Sequence, residues 1–215
     1  MLRESKNEVV QKFERRRNVA TQILVIAASS IASTSRKAYH LFPAIAAVEI
    51  EVSAWAYGEE QKAVISTATE LGISVFAYSQ LGNGFLTGTI RIFNYSAFPR
   101  VLIDVEGDHR ARWNCFKEEN FRANQAIVEG LKTIAEKSGI TTAQLCLAWV
   151  ASLGPTMIHL AGSSKAIRTL ENLQAGEVQL TAEERKTIDE VLIAHPVSGE
   201  RYFGGAANER LQLWG

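Results

Sequence analysis

Cysteine is scarce in this 215-residue chain: Cys115 and Cys146 are the only two, far apart and outside any CxxC pair. That excludes a disulfide framework and a cysteine zinc site, and it fits a reducing compartment, so a cytoplasmic location is expected. A charge excess of either sign is also missing. Lys and Arg total 23 and Asp and Glu total 23, which leaves no global positive field to recruit nucleic acid or an anionic membrane. No apolar run approaches the roughly 18 residues that a membrane helix needs; the longest, Ile23 to Ala28, breaks at Ser29–Ser30. The opening MLRESKNEVV is too charged for the apolar core of a signal peptide. Internal repeats and low-complexity tracts are absent. What is present is ordinary globular composition, 47% hydrophobic and 21% charged. The length allows one domain, or two small ones, with a sizeable core.

Strand-like and helix-like segments alternate along the chain. Ile23–Ala28, rich in β-branched residues, reads as a strand buried on both faces. A short helix from the Ser33–Ser35 cap to Leu41, stopped by Pro43, comes next. Ile45–Val52 reads as a second strand. Glu59–Leu71 reads as a helix with Val64, Ala68 and Leu71 at core spacing and Gly72 as its stop. Ile73–Tyr78 reads as a third strand, followed by a glycine-punctuated loop and an irregular stretch from Ile90 to Trp113. Helices are expected at 118–138 and 142–152, a fourth strand at Thr156–Gly162, and helices at Lys165–Gln174 and Thr181–Ala194. The last starts with a capping box, Thr181 followed by Glu184. Buried strands joined by crossover helices imply an α/β fold with a parallel sheet. Four βα units make half of an eight-fold (β/α)8 TIM barrel, and complete barrels run to about 250 residues.

Two segments are specific. GISVFAYSQLGNGFLTG (Gly72–Gly88) resembles the seventh strand and following loop of the aldo-keto reductases, and AGSSKAIRTLENLQA (Ala161–Ala175) resembles their eighth strand and phosphate-binding helix. Between them EGDHRARW, FKEENFRAN and LKTIAEKSGITTAQLCLAWV are similar to the substrate loop and paired helices of that family. Upstream, AVEIEVSAW and VIAASSIAS resemble its sixth and fifth strands. In look the chain is closest to pyridoxal-reductase-like NADP-dependent oxidoreductases, with HPVSGERY near the end as a weaker cue. The resemblance implies an organisation with a polar leader at 1–22, the C-terminal part of a barrel (strands five to eight) at 23–202 and a tail at 203–215. It also implies NADP(H) as cofactor.

The residues make physical sense for that role. Gly82, Gly84 and Gly88 follow the C-terminal end of a strand, where glycine lets backbone amides approach a pyrophosphate. The resemblance implies that Tyr78 stacks on the nicotinamide and that Ser79, Gln80, Leu81, Gly82, Asn83 and Gly84 line the pyrophosphate. GSSKAIR stands at a strand-to-helix junction, where free amides and the positive dipole end suit a phosphate. Gly162 opens it. Ser164 can donate a hydroxyl, and Lys165 and Arg168 supply charge for a ribose 2′-phosphate. Glu171 and Asn172 would then meet the adenine edge. In isolation each motif also reads as an ordinary glycine turn or a capped helix with a solvated basic face.

Departures and absences set the limits. Ser29 and Ser30 stand where the family has Ser-Asn or Ser-Glu for the carboxamide, and Glu49 stands where Gln is common; a carboxylate accepts from that amide but cannot donate to its oxygen. Gln80 replaces a proline. No catalytic residue is assigned. The family's acid–base set of Tyr, Lys, Asp and His comes from the first four βα units, which this sequence does not match. His40, His109, His159 and His195 are read as structural or surface residues, the cluster Glu14–Arg17 as a solvated helix face, and no metal site is expected. Two functions stay open. One is an NADPH-dependent reductase of aldehydes or ketones, acting on a small-molecule carbonyl once an N-terminal half completes it. The other is a non-catalytic NADP-binding or interaction protein derived from such an enzyme. Four parallel strands leave two open edges, at Ile23–Ala28 and Thr156–Gly162, that no lysine or proline protects. The chain is therefore expected to pair with a copy of itself, to pair with a separate N-terminal half, or to aggregate.

Overall fold

Parallel strands alternating with amphipathic helices also make up the computed structural model, which describes residues 25–27, 47–90, 92–95, 98–101, 110 and 113–200. In chain order the strands are β1 (Val25–Ala27), β2 (Ala47–Glu51), β3 (Ser74–Tyr78), β4 (Ile92–Tyr95), β5 (Phe98–Val101) and β6 (Met157–His159). The helices are α1 (Glu59–Leu71), α2 (Glu118–Lys137), α3 (Thr142–Ser152), α4 (Ala166–Gln174) and α5 (Ala182–Ala194). β1, β2, β3 and β6 form one parallel sheet in that order, with Val25 opposite Ala47, Val48 opposite Val75, and Val75 opposite Met157.

Register explains which face of the sheet is covered. Val48 and Ile50 of β2 lie opposite Val75 and Ala77 of β3, and all four are buried. They meet Val64, Ile65 and Ala68 of α1, Ile127 and Leu131 of α2, and Leu145, Trp149 and Val150 of α3 in one apolar core. The residues between them point the other way. Glu49, Phe76 and Ile158, opposite one another across three strands, are less buried or exposed.

Local chemistry fixes the helix ends. Gly72 takes φ +66° and stops α1, the left-handed conformation that glycine adopts without steric cost. Thr141 and Gln144 at α3, and Thr181 and Glu184 at α5, exchange reciprocal capping bonds. α3 is buried continuously from Leu145 to Val150 because it is wedged between α2 and α4, with Ala175–Glu177, a short 3-10 turn, beneath it.

One reading is corrected. The stretch 90–113 is not irregular throughout: β4 and β5 form an antiparallel hairpin pairing Ile92 with Val101 and Tyr95 with Phe98. Pro99 hid it. Proline suits a two-stranded ribbon because each strand has a free side where no N–H is needed. Strands β1 and β6 are shorter than the runs that announced them, and Lys165 caps α4 rather than starting it. The expected helix at 33–41, the leader 1–22, the tail 203–215, Ser29, Ser30, His40 and His109 lie outside the described residues. Among the described residues no helix is long and apolar enough to cross a membrane.

Candidate functional site

Both specific segments leave the sheet from adjacent strands on the same side. β3 ends at Tyr78 and β6 at His159, so the loops that follow emerge together beyond the carboxyl ends of two paired parallel strands. Open parallel sheets bind ligands at such a position. A cavity of about 870 Å³ lies there.

One wall is the loop after β3. Ser79 and Asn83 are L-residues with φ +54°, and Gly82 and Gly84 also have positive φ, +54° and +91°. Side chains rarely adopt this region, and such strain gathers at binding sites. The loop is held internally: Gly82 N donates to Ser79 O at 2.8 Å, Gly84 N to Leu81 O at 2.9 Å, and Thr87 Oγ1 to Gly84 O at 2.7 Å. Arg110 Nη1 donates to Asn83 O at 2.9 Å from across the chain. From below, the loop rests on an aromatic cluster. Trp55 stacks on Phe85 at 4.6 Å, and Phe85 meets Phe121 edge-on at 4.9 Å.

Gln80 is buried and turns inward. Its Nε2 donates to Ala77 O at 2.7 Å and lies 3.4 Å from His159 Nδ1, tying the loop to β6. An amide N–H suits a neutral imidazole nitrogen there, and burial holds the His159 pKa below its usual value.

The facing wall is the start of α4. Ser163 Oγ accepts from Lys165 N at 3.2 Å and donates to Lys165 O at 2.9 Å, so that hydroxyl shapes the turn. Ser164, Arg168, Glu171 and Asn172 line the cavity. Among the described residues the Arg168 guanidinium has no ion pair or hydrogen bond.

Of the sixteen residues singled out from the sequence, ten line this cavity: Ser79, Gln80, Leu81, Asn83, Gly84, Gly162, Ser164, Arg168, Glu171 and Asn172. Gly82, Lys165, Tyr78 and Glu49 do not. Gly82 lies against Trp55 instead, and Lys165 is exposed at the cap of α4. Tyr78 and Glu49 are half-buried on the sheet face that also carries Phe76, while Ser29 and Ser30 are outside the described residues. Of the residues expected around phosphates and adenine, all but Gly82 and Lys165 line the cavity; of those expected around nicotinamide, the described pair Tyr78 and Glu49 do not.

A third wall escaped sequence reasoning: Lys132, Ala135 and Glu136 of α2 and Ile140 to Ala143 at the α2–α3 turn. Lys132 and Glu136 read as a solvated pair, 3.9 Å apart, and only the packing of α2 brings them to the cavity. Among the described residues no group of His, Cys, Asp and Glu could hold a metal ion.

A parallel βα sheet with a strained glycine loop and a helix start around one cavity, past its strand ends, defines an α/β protein with a cleft at the carboxyl ends of its strands. The chain belongs to the aldo/keto reductase family, whose model matches residues 23–193. An aldo-keto reductase of Gibberella moniliformis is 34% identical over 171 residues, 80% of this chain and 50% of that protein. The aldo-keto reductase str7 of Strobilurus tenacellus is 34% identical over 175 residues, 79% of this chain and 48% of its own length. The fold is shared with the glycerol dehydrogenase of Gluconobacter oxydans at TM-score 0.66 and 21% identity, over 89% of this chain and 54% of that structure. The chain spans about half the length of the curated relatives it matches.

Proposed function

We propose that the chain binds the diphosphate and adenosine 2′-phosphate end of NADP(H) in the cavity between the β3 loop and α4. On this reading the sheet is one half of a (β/α)8 barrel, with β1, β2, β3 and β6 as its fifth to eighth strands. The single observation that carries the reading is the convergence of Ser79–Gly84 and Gly162–Asn172, about eighty residues apart in sequence, on one cavity with Arg168 uncommitted.

The donor set fits the group. The N-terminal turn of α4 offers backbone N–H groups and a partial positive charge, and Ser164 adds a hydroxyl. Arg168 lies about one turn into the helix and supplies a planar fork suited to a phosphate dianion. Glu171 and Asn172, another turn on, provide an acceptor and an amide for the adenine edge. Bound there, the cofactor would supply a hydride for reducing an aldehyde or ketone to an alcohol. The proton for that alcohol needs an acid which none of the residues assigned to the cavity provides. Tyr78 and Glu49, on the sheet face opposite the helix-covered core, are left to meet the nicotinamide side.

A charge-assisted contact to one phosphate is worth about 1.5–3 kcal/mol, so NADPH should bind roughly ten-fold or more tighter than NADH. Titration calorimetry with both nucleotides tests this. Arg168→Ala should erase most of the difference. Equal affinities, or a preference that survives Arg168→Ala, would overturn the assignment.

A further inference from the structure

The motif HPVSGERY, described as far as Glu200, lies outside the cavity. It follows α5 as an extended strap, and side chains of α2 hold it by its backbone. Asn124 Nδ2 donates to Ser198 O at 2.9 Å, and Ser198 N donates to Asn124 Oδ1 at 2.8 Å. Ser198 Oγ donates to Asn120 Oδ1 at 2.8 Å, and Cys115 N donates to Glu200 O at 3.1 Å. Gly199 has φ +83°, and a Cβ there would run into the Asn120 amide and come within 2.8 Å of Asn114 Oδ1. Asn124 is fully buried, on the same stripe of α2 as Phe121, Ile127, Val128 and Leu131. A primary amide at such a core position is costly unless its donor and acceptor are both used. Here both are engaged by Ser198, 74 positions further along the chain.

What the strap grips leads back to the cavity. Asn120 Nδ2 donates to Asn114 O at 2.9 Å and to Asn114 Oδ1 at 2.7 Å. The short 3-10 turn Asn114–Phe116 is therefore tied to the strap and to α2 together. From this turn the buried Phe116 meets Trp55 and Phe85 edge-on, at 5.8 and 6.0 Å, beneath the β3 loop. Just upstream, Trp113 N donates to Arg110 O at 3.0 Å, and Arg110 in turn donates to Asn83 O of the loop. The stretch that the strap holds thus touches the loop twice, at its aromatic underside and at Asn83. We propose that Asn124 is a positioning residue for the β3 loop: by locking Ser198–Glu200 to α2 it fixes the Asn114–Phe116 turn, and with it the cavity wall assigned to the diphosphate. What the loop touches rests on the nucleotide site proposed above; what holds the loop does not.

Hydrogen exchange on the full chain, read by mass spectrometry, tests the clamp without any ligand. Asn124→Ala leaves Ser198 N and O without their side-chain partner, so amides of residues 79–88 should quicken about ten-fold or more beyond those of β2 and α3. Gly72→Ala, which destabilises from the end of α1, should quicken loop and core alike. NADPH affinity should fall about ten-fold in Asn124→Ala. Adenosine 2′-monophosphate, which lacks a diphosphate and needs only α4, should bind that variant as it binds the parent. Ser198→Ala deletes one hydroxyl and should show the same pattern at smaller size, which decides the matter if Asn124→Ala does not fold. Loop and core amides that quicken together in the strap variants, or a released loop with NADPH affinity intact, would overturn the proposal. A parent chain that binds neither nucleotide overturns the nucleotide site instead, and loop exchange alone then decides the clamp.

Discussion

Gly82→Ala should be the most damaging single-methyl change in the β3 loop, and the structure gives two separable reasons. The first is conformational. Gly82 has φ +54°, and placing an L-residue in the left-handed region costs roughly 1–2 kcal/mol. The second is steric. A Cβ at this position would lie 2.7 Å from Trp55 Cε2 and 2.8 Å from Nε1, a distance at which something must move. The indole cannot yield easily, being stacked on Phe85 at 4.6 Å and edge-on to Phe116 at 5.8 Å. Overpacking of this kind costs about 1–3 kcal/mol, so the sum is about 2–5 kcal/mol. Gly72→Ala is the control. It has φ +66° but nothing within 4 Å of its Cβ, so only the conformational cost applies. Urea denaturation followed by circular dichroism should place the Gly82 variant about 1–3 kcal/mol below the Gly72 variant. NADPH affinity should fall in the first and not in the second. Equal losses for the two substitutions would show that Trp55 gives way, and the picture of a loop seated on a rigid aromatic base would be wrong.

Burial pushes the Cys146 thiol up to about 12, so it stays protonated at pH 8 and should resist a thiol reagent until urea exposes it; labelling of Cys146 in the native chain would contradict its place in the core. His159 has a folded pKa held below 6.5 by burial, so the unfolded chain takes up its proton first as pH falls. The stability it contributes is therefore present above pH 6.5 and lost below it. His159→Gln should flatten that part of a stability-against-pH curve, and an unchanged slope would refute the assignment. Thr181→Ala removes a hydroxyl that accepts from Glu184 N at 3.1 Å, and should cost about 1 kcal/mol by chemical denaturation; no measurable loss would mean the capping box is idle.

Wherever a short-range rule operates, the sequence carried its structure. α1 ends at its glycine stop and α5 begins at its capping box, because Gly72, and Thr181 with Glu184, act within one turn. The two glycine- and serine-rich segments were legible for the same reason, since positive φ and a helix start are local properties. What stayed hidden depends on distant packing. Lys132 and Glu136 look like any exposed i, i+4 pair, and nothing nearby in sequence says that α2 carries them to the cavity rim. Tyr78 shows the reverse: strand alternation puts it on the sheet face away from the core, outside the cavity that the next residue, Ser79, lines. Gln80 occupies a site where proline was expected, and only its depth reveals that it ties the loop to β6.

The contact between Gly82 and Trp55 has a consequence for how this loop can move. Loops around ligands are commonly the least stable parts of a protein and open without disturbing the rest. Here the loop's underside, Phe85 and Leu86, is itself core, locked to Trp55, Phe116 and Phe121. Swinging it away would strip that aromatic stack of its lid and wet Trp55, Phe116 and Phe121. Opening of the loop is therefore tied to the melting of the whole body, and its amide protons should exchange only on the slow clock of global unfolding. A nucleotide would find this wall of its site standing before it arrives.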